Sequence, residues 1–139
     1  MRYYILVGDP KTWDSAFSSN LWGFTEKSKG SWNTTNEGDL VAFYVTSPLK
    51  RIVGFGKITE KFVSDEIFWP DEKFFKKALW KYRVRFDVLY LLKDFNRGIE
   101  PPKNLMLNQG RKPIAENLFT GLIDVAEKTW KTNIQKHLK

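Results

Sequence analysis

"EGDLVAFYVTSPLKRIVGFGKITEKFV" (residues 37–63) decides the architecture of this chain. Gly38 and Asp39 are turn formers, and the run "LVAFYV" behind them is the pattern of a buried strand. "SPLK" turns the chain, and "RIVGFGKITEKFV" is a second strand, so the segment reads as a hairpin-like pair. Two glycines within the second run, Gly54 and Gly56, mark a bulge or a close approach of another backbone.

Working outward, "YYILVG" (3–8) is a first, central strand that ends at Gly8. Asp9 is a good helix N-cap and Pro10 suits the first helical position. Trp13, Ala16 and Phe17 then fall on one helical face. Residues 18–38 are rich in Ser, Asn, Thr, Gly and Lys and read as a long loop interrupted by Trp22, Phe24 and Trp32. Loops of that length in a compact domain tend to carry function. "SDEIFWPDE" (64–72) is also loop, and "KFFKKALW" (73–80) is a helical turn or an irregular connection. "KYRVRFDVLYLL" (81–92) alternates, with Tyr82, Val84, Phe86 and Val88 on one face and Arg83, Arg85 and Asp87 on the other, which is a strand. "NRGIEPPKN" is loop. Two C-terminal helices are expected: one from Pro113, and one that Asp124 and Glu127 open as a capping box. Ile123, Ala126, Trp130, Ile134 and Leu138 recur as one apolar stripe. Strands in the middle and helices at both ends argue an α+β fold, a small, strongly curved sheet with helices packed on it.

The chain has 139 residues, which favours a single domain over 1–139. It has no Cys, so disulfides, thiol nucleophiles and thiolate zinc sites are excluded. No apolar run resembles a signal peptide or reaches membrane-spanning length, which gives the expectation of a cytoplasmic protein without membrane contact. The formal charge is +7 and aromatic residues make up 16%, six of them Trp. Basic surfaces attract polyanions through counterion release, and aromatic rings supply stacking platforms for bases. Each feature alone has an ordinary explanation in solubility or core packing; together they favour nucleic acid.

Catalysis finds little support. The one His, His137, lies at a helix end near the C-terminus, where a solvated residue favoured by the helix dipole is the simplest reading. The acidic pairs Asp65–Glu66 and Asp71–Glu72 sit in polar loops, where solvated carboxylates belong. "GFG" (54–56) is no phosphate loop, since neither Lys-Ser/Thr nor a helix follows. The expectation is a binding module, not an enzyme, with no cofactor and no metal.

The ordered series "YYILVGDP", "NLWGF", "EGDLVAFYV", "RIVGFGKITEKF", "IFWPDE" and "YRVRFDV" resembles the EVE domain, a member of the PUA-like superfamily related to the YTH readers of modified RNA. The resemblance runs from about Tyr3 to the C-terminal helix. It implies a pseudo-barrel of five or six strands with flanking helices, and an aromatic cage that holds a flipped, modified base. Trp22 stands where the first cage wall would be and Trp69 where the second would be. Gly8 and Asp9, at the end of the first strand, stand where such readers contact the base edge, and Arg111 in "NQGRKP" resembles a phosphate-contacting position. The YTH relatives carry Ser-Asn where this chain has Gly8-Asp9, so a methyladenine specificity does not carry over.

The residues themselves leave alternatives. Trp22 plugs a core or meets a ligand, with its neighbour Gly23 favouring a pocket. Of Phe68 and Trp69 one must face inward. Asp9 is an N-cap, a base reader or both. Trp32 is a third cage or rim residue, and one of Phe43 and Tyr44 lines the barrel interior. Trp13, Trp80 and Trp130 lie on apolar faces and belong to the core. Arg83 and Arg85 either contact phosphate or lie on a solvated strand face, and Lys73, Lys76, Lys77 and Lys81 form a solvent-facing basic cluster. The expected partner is DNA or RNA carrying a modified base, with a separate effector protein. The rival reading is a regulatory domain that takes a free nucleoside or other small aromatic metabolite in the same pocket.

Overall fold

The computed structural model describes residues 1–108 and 110–138. Six strands form one mixed sheet: β1 (Tyr3–Gly8), β2 (Leu21–Phe24), β3 (Leu40–Val45), β4 (Arg51–Val63), β5 (Tyr82–Leu91) and β6 (Gly110–Ile114). Their order is β2-β5-β4-β3-β1-β6. The β1–β3 pair is parallel and every other pair is antiparallel. Helices α1 (Pro10–Ser19), α2 (Lys29–Asn33), α3 (Pro70–Phe75) and α4 (Glu116–Trp130) flank it. The result is a curled half-barrel with flanking helices, the α+β pseudo-barrel expected.

The curl has a local cause. β4 is 13 residues long, and its pairing with β5 slips between Phe55 and Gly56 and again between Ile58 and Glu60. Such bulges bend a strand and increase its twist. Gly56 lies at the first slip because a Cβ there would come 2.5 Å from Phe43 Cζ and 2.8 Å from the Asp87 carbonyl oxygen.

Both faces of the central strands are covered, so their side chains sort into two apolar layers. Ile5, Val7, Ala42 and Phe55 pack with Phe119, Ile123, Ala126 and Trp130 of α4. Tyr4, Leu6, Val41, Phe43, Val84 and Phe86 pack with Trp13 and Ala16 of α1 and with Trp22 of β2. Strands buried on both sides carry continuous apolar runs rather than alternation, as "YYILV" and "LVAFYV" do. Asp39, buried at the start of β3, accepts from the backbone N–H of Arg2 (3.0 Å) and Asn36 (2.8 Å) and ties the N-terminus to the turn before β3.

Three expectations need correction. Residues 18–38 are not one loop: they contain β2, a 3-10 turn over Glu26–Ser28 and α2. Pro113 does not start a helix but lies in β6 opposite Tyr4. Pro is tolerated there because β6 is an edge strand, with one side free of ladder bonds. A single helix, α4, follows from Glu116. Asp124 lies inside it, and the Glu127 carboxylate instead accepts from the backbone N–H of Ile134 (2.6 Å) and Gln135 (3.0 Å) beyond its C-terminus.

Candidate functional site

β2 and β6 are the two edges of the sheet, and residues from both line one cavity of about 180 Å³, where the barrel does not close. Its apolar lining is Trp22 and Phe24 of β2 with Trp69 and Trp80, which bracket α3. Gly23 and Gly110 supply backbone, and Thr12, Thr25 and Ser28 supply hydroxyl groups. An apolar cavity of ~150 Å³ is enough to hold benzene, so this one has room for a planar heterocycle. It is smaller than the ~300–1,000 Å³ of drug-sized ligand pockets.

Two glycines let the indoles close in. A Cβ on Gly23 would lie 2.5 Å from Trp80 Cβ and 2.8 Å from Trp69 Cη2. A Cβ on Gly8 would lie 2.7 Å from Trp22 Cη2. Trp22 is only 3% exposed and stacks on Trp13 with ring centroids 4.4 Å apart. Trp13 is fixed in turn by donating from Nε1 to the Tyr44 carbonyl oxygen at 2.8 Å. Trp22 is therefore both a core side chain and a pocket wall. Among the described residues, nothing accepts from Nε1 of Trp22 or of Trp69.

Trp69 and Trp80 are held by a buried carboxylate. Glu72 Oε1 accepts from the backbone N–H of Phe68 (2.9 Å) and Trp69 (3.1 Å), and Oε2 from Leu79 (2.7 Å) and Trp80 (3.0 Å). One side chain thus joins the segment before α3 to the segment after it. Arg83 completes the device: its Nη2 lies 3.4 Å from Glu72 Oε1, its Nε donates to the Trp80 carbonyl oxygen (2.9 Å), and Nη2 also donates to the Glu66 carbonyl oxygen. The Arg83 guanidinium sits 5.1 Å from the Trp69 ring centroid, a cation–π distance. Burial alone would raise the Glu72 pKa, but the four backbone N–H bonds outweigh it and hold the group below its ordinary value. Both side chains are essentially inaccessible. Glu72 is therefore not a solvated loop acid, and Arg83 is neither solvated nor able to reach a phosphate. The strand face that carries it is covered by the residue 64–80 segment.

The other candidates disperse. Of Phe68 and Trp69, it is Trp69 that lines the cavity; Phe68 packs edge-on against it. Gly8 buttresses Trp22. Asp9 caps α1, accepting from Thr12 N–H at 2.7 Å, and borders an adjoining concavity with Lys11, Pro70 and Asp71 that shares Thr12, Trp69 and Trp80 with the cavity. Tyr44 packs in the α4 layer, where burial raises its pKa against the opposing pull of Arg51. Trp32 lies outside the lining: it donates to the Arg83 carbonyl oxygen (2.9 Å) and sits beneath Lys61 Nζ at 4.5 Å. Arg85 is exposed and paired with Glu60 at 3.3 Å. Arg111 follows the cavity residue Gly110 but turns onto the Tyr4 ring, 4.1 Å from its centroid, and donates to Thr35 Oγ1 at 2.8 Å. Burial pushes its pKa down, although Tyr4 and Asp39 favour its charge. Trp80 is the wall that the sequence reading assigned to the core. Its half-buried position follows from the Glu72 carboxylate, a non-local partner that no spacing announces.

No family model matches the chain, and no curated protein matches it significantly in sequence. Solved structures match in fold. The YTH domain-containing protein mmi1, described in complex with RNA, has a TM-score of 0.61 at 14% identity over 94% of this chain and 87% of that one. An ASCH protein mutant from Zymomonas mobilis has a TM-score of 0.59 at 13% identity, with 89% and 96% covered. Rpa0253 from Rhodopseudomonas palustris has a TM-score of 0.57 at 15% identity, with 88% and 90% covered. The chain therefore has the PUA-like fold of YTH and ASCH domains. At these identities the likeness is one of fold.

Proposed function

We propose that this chain is a non-enzymatic nucleic-acid-binding module of the EVE type that takes one flipped, modified base of RNA or DNA into the cavity between Trp22, Trp69 and Trp80. The carrying observation is a cavity of one-heterocycle size bounded by three indoles in the gap between the sheet edges. The same fold in an RNA-bound YTH domain supports this reading. So does the +7 charge, which favours a polyanion. An extruded base offers two π faces, and base–aromatic stacking contributes ~1–3 kcal/mol. One buried methyl adds only about 0.8 kcal/mol, about fourfold, so sharper discrimination needs a hydrogen bond present for one base and absent for another. The Thr12, Thr25 and Ser28 hydroxyls are groups for that work. The module would act in the cytoplasm with a separate effector protein.

The rival reading is a regulatory domain for a free nucleoside or similar aromatic metabolite. It has one observation in its favour: among the described residues, no Lys or Arg lines the cavity itself. The test is capture of fragmented cellular RNA and DNA on the immobilised protein, followed by nucleoside mass spectrometry, with Trp80→Ala as control. Trp80 is the better control than Trp22, because Trp22 is also a core side chain. Enrichment of one modified nucleoside, lost in the variant, is the expected result. Retention without enrichment of any modified nucleoside would overturn the reader reading. Binding of free nucleosides that is insensitive to salt, with no strand captured, would favour the rival.

A further inference from the structure

α3 carries an aromatic pair that is largely exposed. Phe74 is 78% and Phe75 59% exposed, and their rings meet edge-on with centroids 5.0 Å apart. Two large aromatic side chains in water on one short helix are unusual, because removing apolar surface from water is favourable. They are interleaved with cations in the order Lys73-Phe74-Phe75-Lys76-Lys77. All three lysines are exposed. Among the described residues, none of the three pairs with a carboxylate. Of the two neighbouring acids, Asp71 is exposed and Glu72 is consumed in holding the backbone.

The place of this pair is as telling as its composition. α3 begins directly after the cavity residue Trp69, and at a rise of ~1.5 Å per residue Phe74 lies only about 8 Å farther along the helix axis. The concavity that adjoins the cavity reaches α3 at Pro70 and Asp71. Glu72 anchors the root of α3 through both Trp69 and Trp80, so the exposed pair is presented from a fixed base. Exposed rings interleaved with cations, on a helix that starts at the cavity wall Trp69, match the arrangement that single strands use: bases stack on the rings while cations follow the phosphates.

We infer that Phe74 and Phe75, with Lys73, Lys76 and Lys77, are a stacking platform for the unpaired nucleotides that flank the base held in the cavity. This rests on the reader function proposed above and adds the strand to it: the ligand is single-stranded nucleic acid, contacted along α3 as well as in the pocket. The aromatic rings supply sequence-tolerant stacking, and the lysines supply the salt-dependent attraction.

The test uses the full chain and a short fluorescein-labelled single-stranded RNA, read by anisotropy at several salt concentrations. Free-nucleoside occupancy of the cavity is read separately, by tryptophan fluorescence. Phe74→Ala/Phe75→Ala should weaken strand binding roughly fivefold or more per lost stack, with nucleoside occupancy unchanged. Phe74→Tyr/Phe75→Tyr should keep strand affinity, and Phe74→Leu/Phe75→Leu should lose it, because stacking needs a π face. Lys73→Gln/Lys76→Gln/Lys77→Gln should lower the slope of log affinity against log salt by about 2, at ~0.7 per phosphate contact for single strands. If the Leu and Tyr variants bind the strand equally well, the platform is overturned. If the Ala pair binds like the wild type while Trp80→Ala weakens binding, the platform falls and the reader reading stands. If the wild type binds no strand, both fall; capture of phosphatidylglycerol vesicles in that case would assign the patch to a membrane surface.

Discussion

Four of the six indoles are buried, and they divide two and two. Trp13 and Trp130 donate from Nε1 to the carbonyl oxygens of Tyr44 (2.8 Å) and Arg97 (2.9 Å). Trp22 and Trp69 are just as inaccessible, at 3% each, yet no described residue accepts from them. A buried donor left unpaired costs ~1–3 kcal/mol, and interiors rarely tolerate it. The first pair is finished by the fold. The second pair lines the cavity and is held from behind, Trp22 by the Trp13 ring and Trp69 by the Glu72–Arg83 pair. The same residue type thus serves as filler in one region and as a preformed wall in the other, and the surroundings decide which.

The largest expected effect lies in what holds the walls. Glu72→Ala leaves four backbone N–H groups and the Arg83 guanidinium without their buried acceptor. Breaking such a pair from one side costs about 3–5 kcal/mol, to be read as a lower urea midpoint. The pH dependence has a definite sign. The folded Glu72 pKa lies below its ordinary value, so its stabilisation is complete above the unfolded-state value of about 4.3 and is lost as pH falls below that, through the lower folded value. The wild type should lose stability with acid over that range by more than Glu72→Gln does. Equal acid sensitivity would show that the carboxylate carries no such weight.

Next come the two classes of indole. Trp130→Ala should lower stability by about 3–5 kcal/mol, as expected for a fully packed aromatic side chain, and leave nucleoside binding in the surviving fold unchanged. Trp80→Ala should do the reverse: a smaller loss of stability, because Trp80 is only half buried, and a loss of one base stack, ~1–3 kcal/mol of binding. Thermal melts and fluorescence titrations of both variants would separate filler from wall. A parallel loss of stability and binding in both would erase the distinction.

Gly23→Ala should act on the walls by shape alone. The added methyl would come within 2.5 Å of Trp80 Cβ and 2.8 Å of Trp69 Cη2, and overpacking of this kind costs ~1–3 kcal/mol. Since the two indoles can yield only by moving, nucleoside affinity should fall with stability. Unchanged binding would mean that the walls shift without consequence.

The comparison also explains what could be read from the chain. The β3–β4 pair, the α4 stripe through Ile123, Ala126 and Trp130, and the bulge at Gly56 were legible because each is written in local pattern or in a glycine within a strand. β6 was not, because a short run containing Pro113 becomes a strand only through the open edge of β1. β2 was not, because "LWGF" is four residues long and paired to β5 across some sixty positions. Of the cavity lining, Trp22 and Gly23 stood out as an aromatic and a small residue in unusual places, while the choice between Phe68 and Trp69 stayed open. Glu72 was not. A Glu beside an Asp reads as solvated, and only the distant amides of Leu79 and Trp80 bury it.

Arg83 and Arg85 are two residues apart on β5 and looked equivalent by alternation, so they give the smallest and sharpest contrast. The strand leaves Arg83 beneath the 64–80 segment and Arg85 beyond it, paired with Glu60 at 3.3 Å and about half exposed. An exposed pair contributes ~0–1 kcal/mol. Arg85→Ala should therefore shift stability by no more than about 0.5 kcal/mol and leave nucleoside binding alone, because Arg85 does not line the cavity and its guanidinium lies against Glu60 and Phe62. Strand binding measured on the same variant decides the remaining point. Unchanged affinity confines the proposed nucleic-acid path to the cavity and α3. A loss that shrinks with added salt would extend the path across β5 past Phe62, over whose ring the Arg85 guanidinium lies at 5.3 Å.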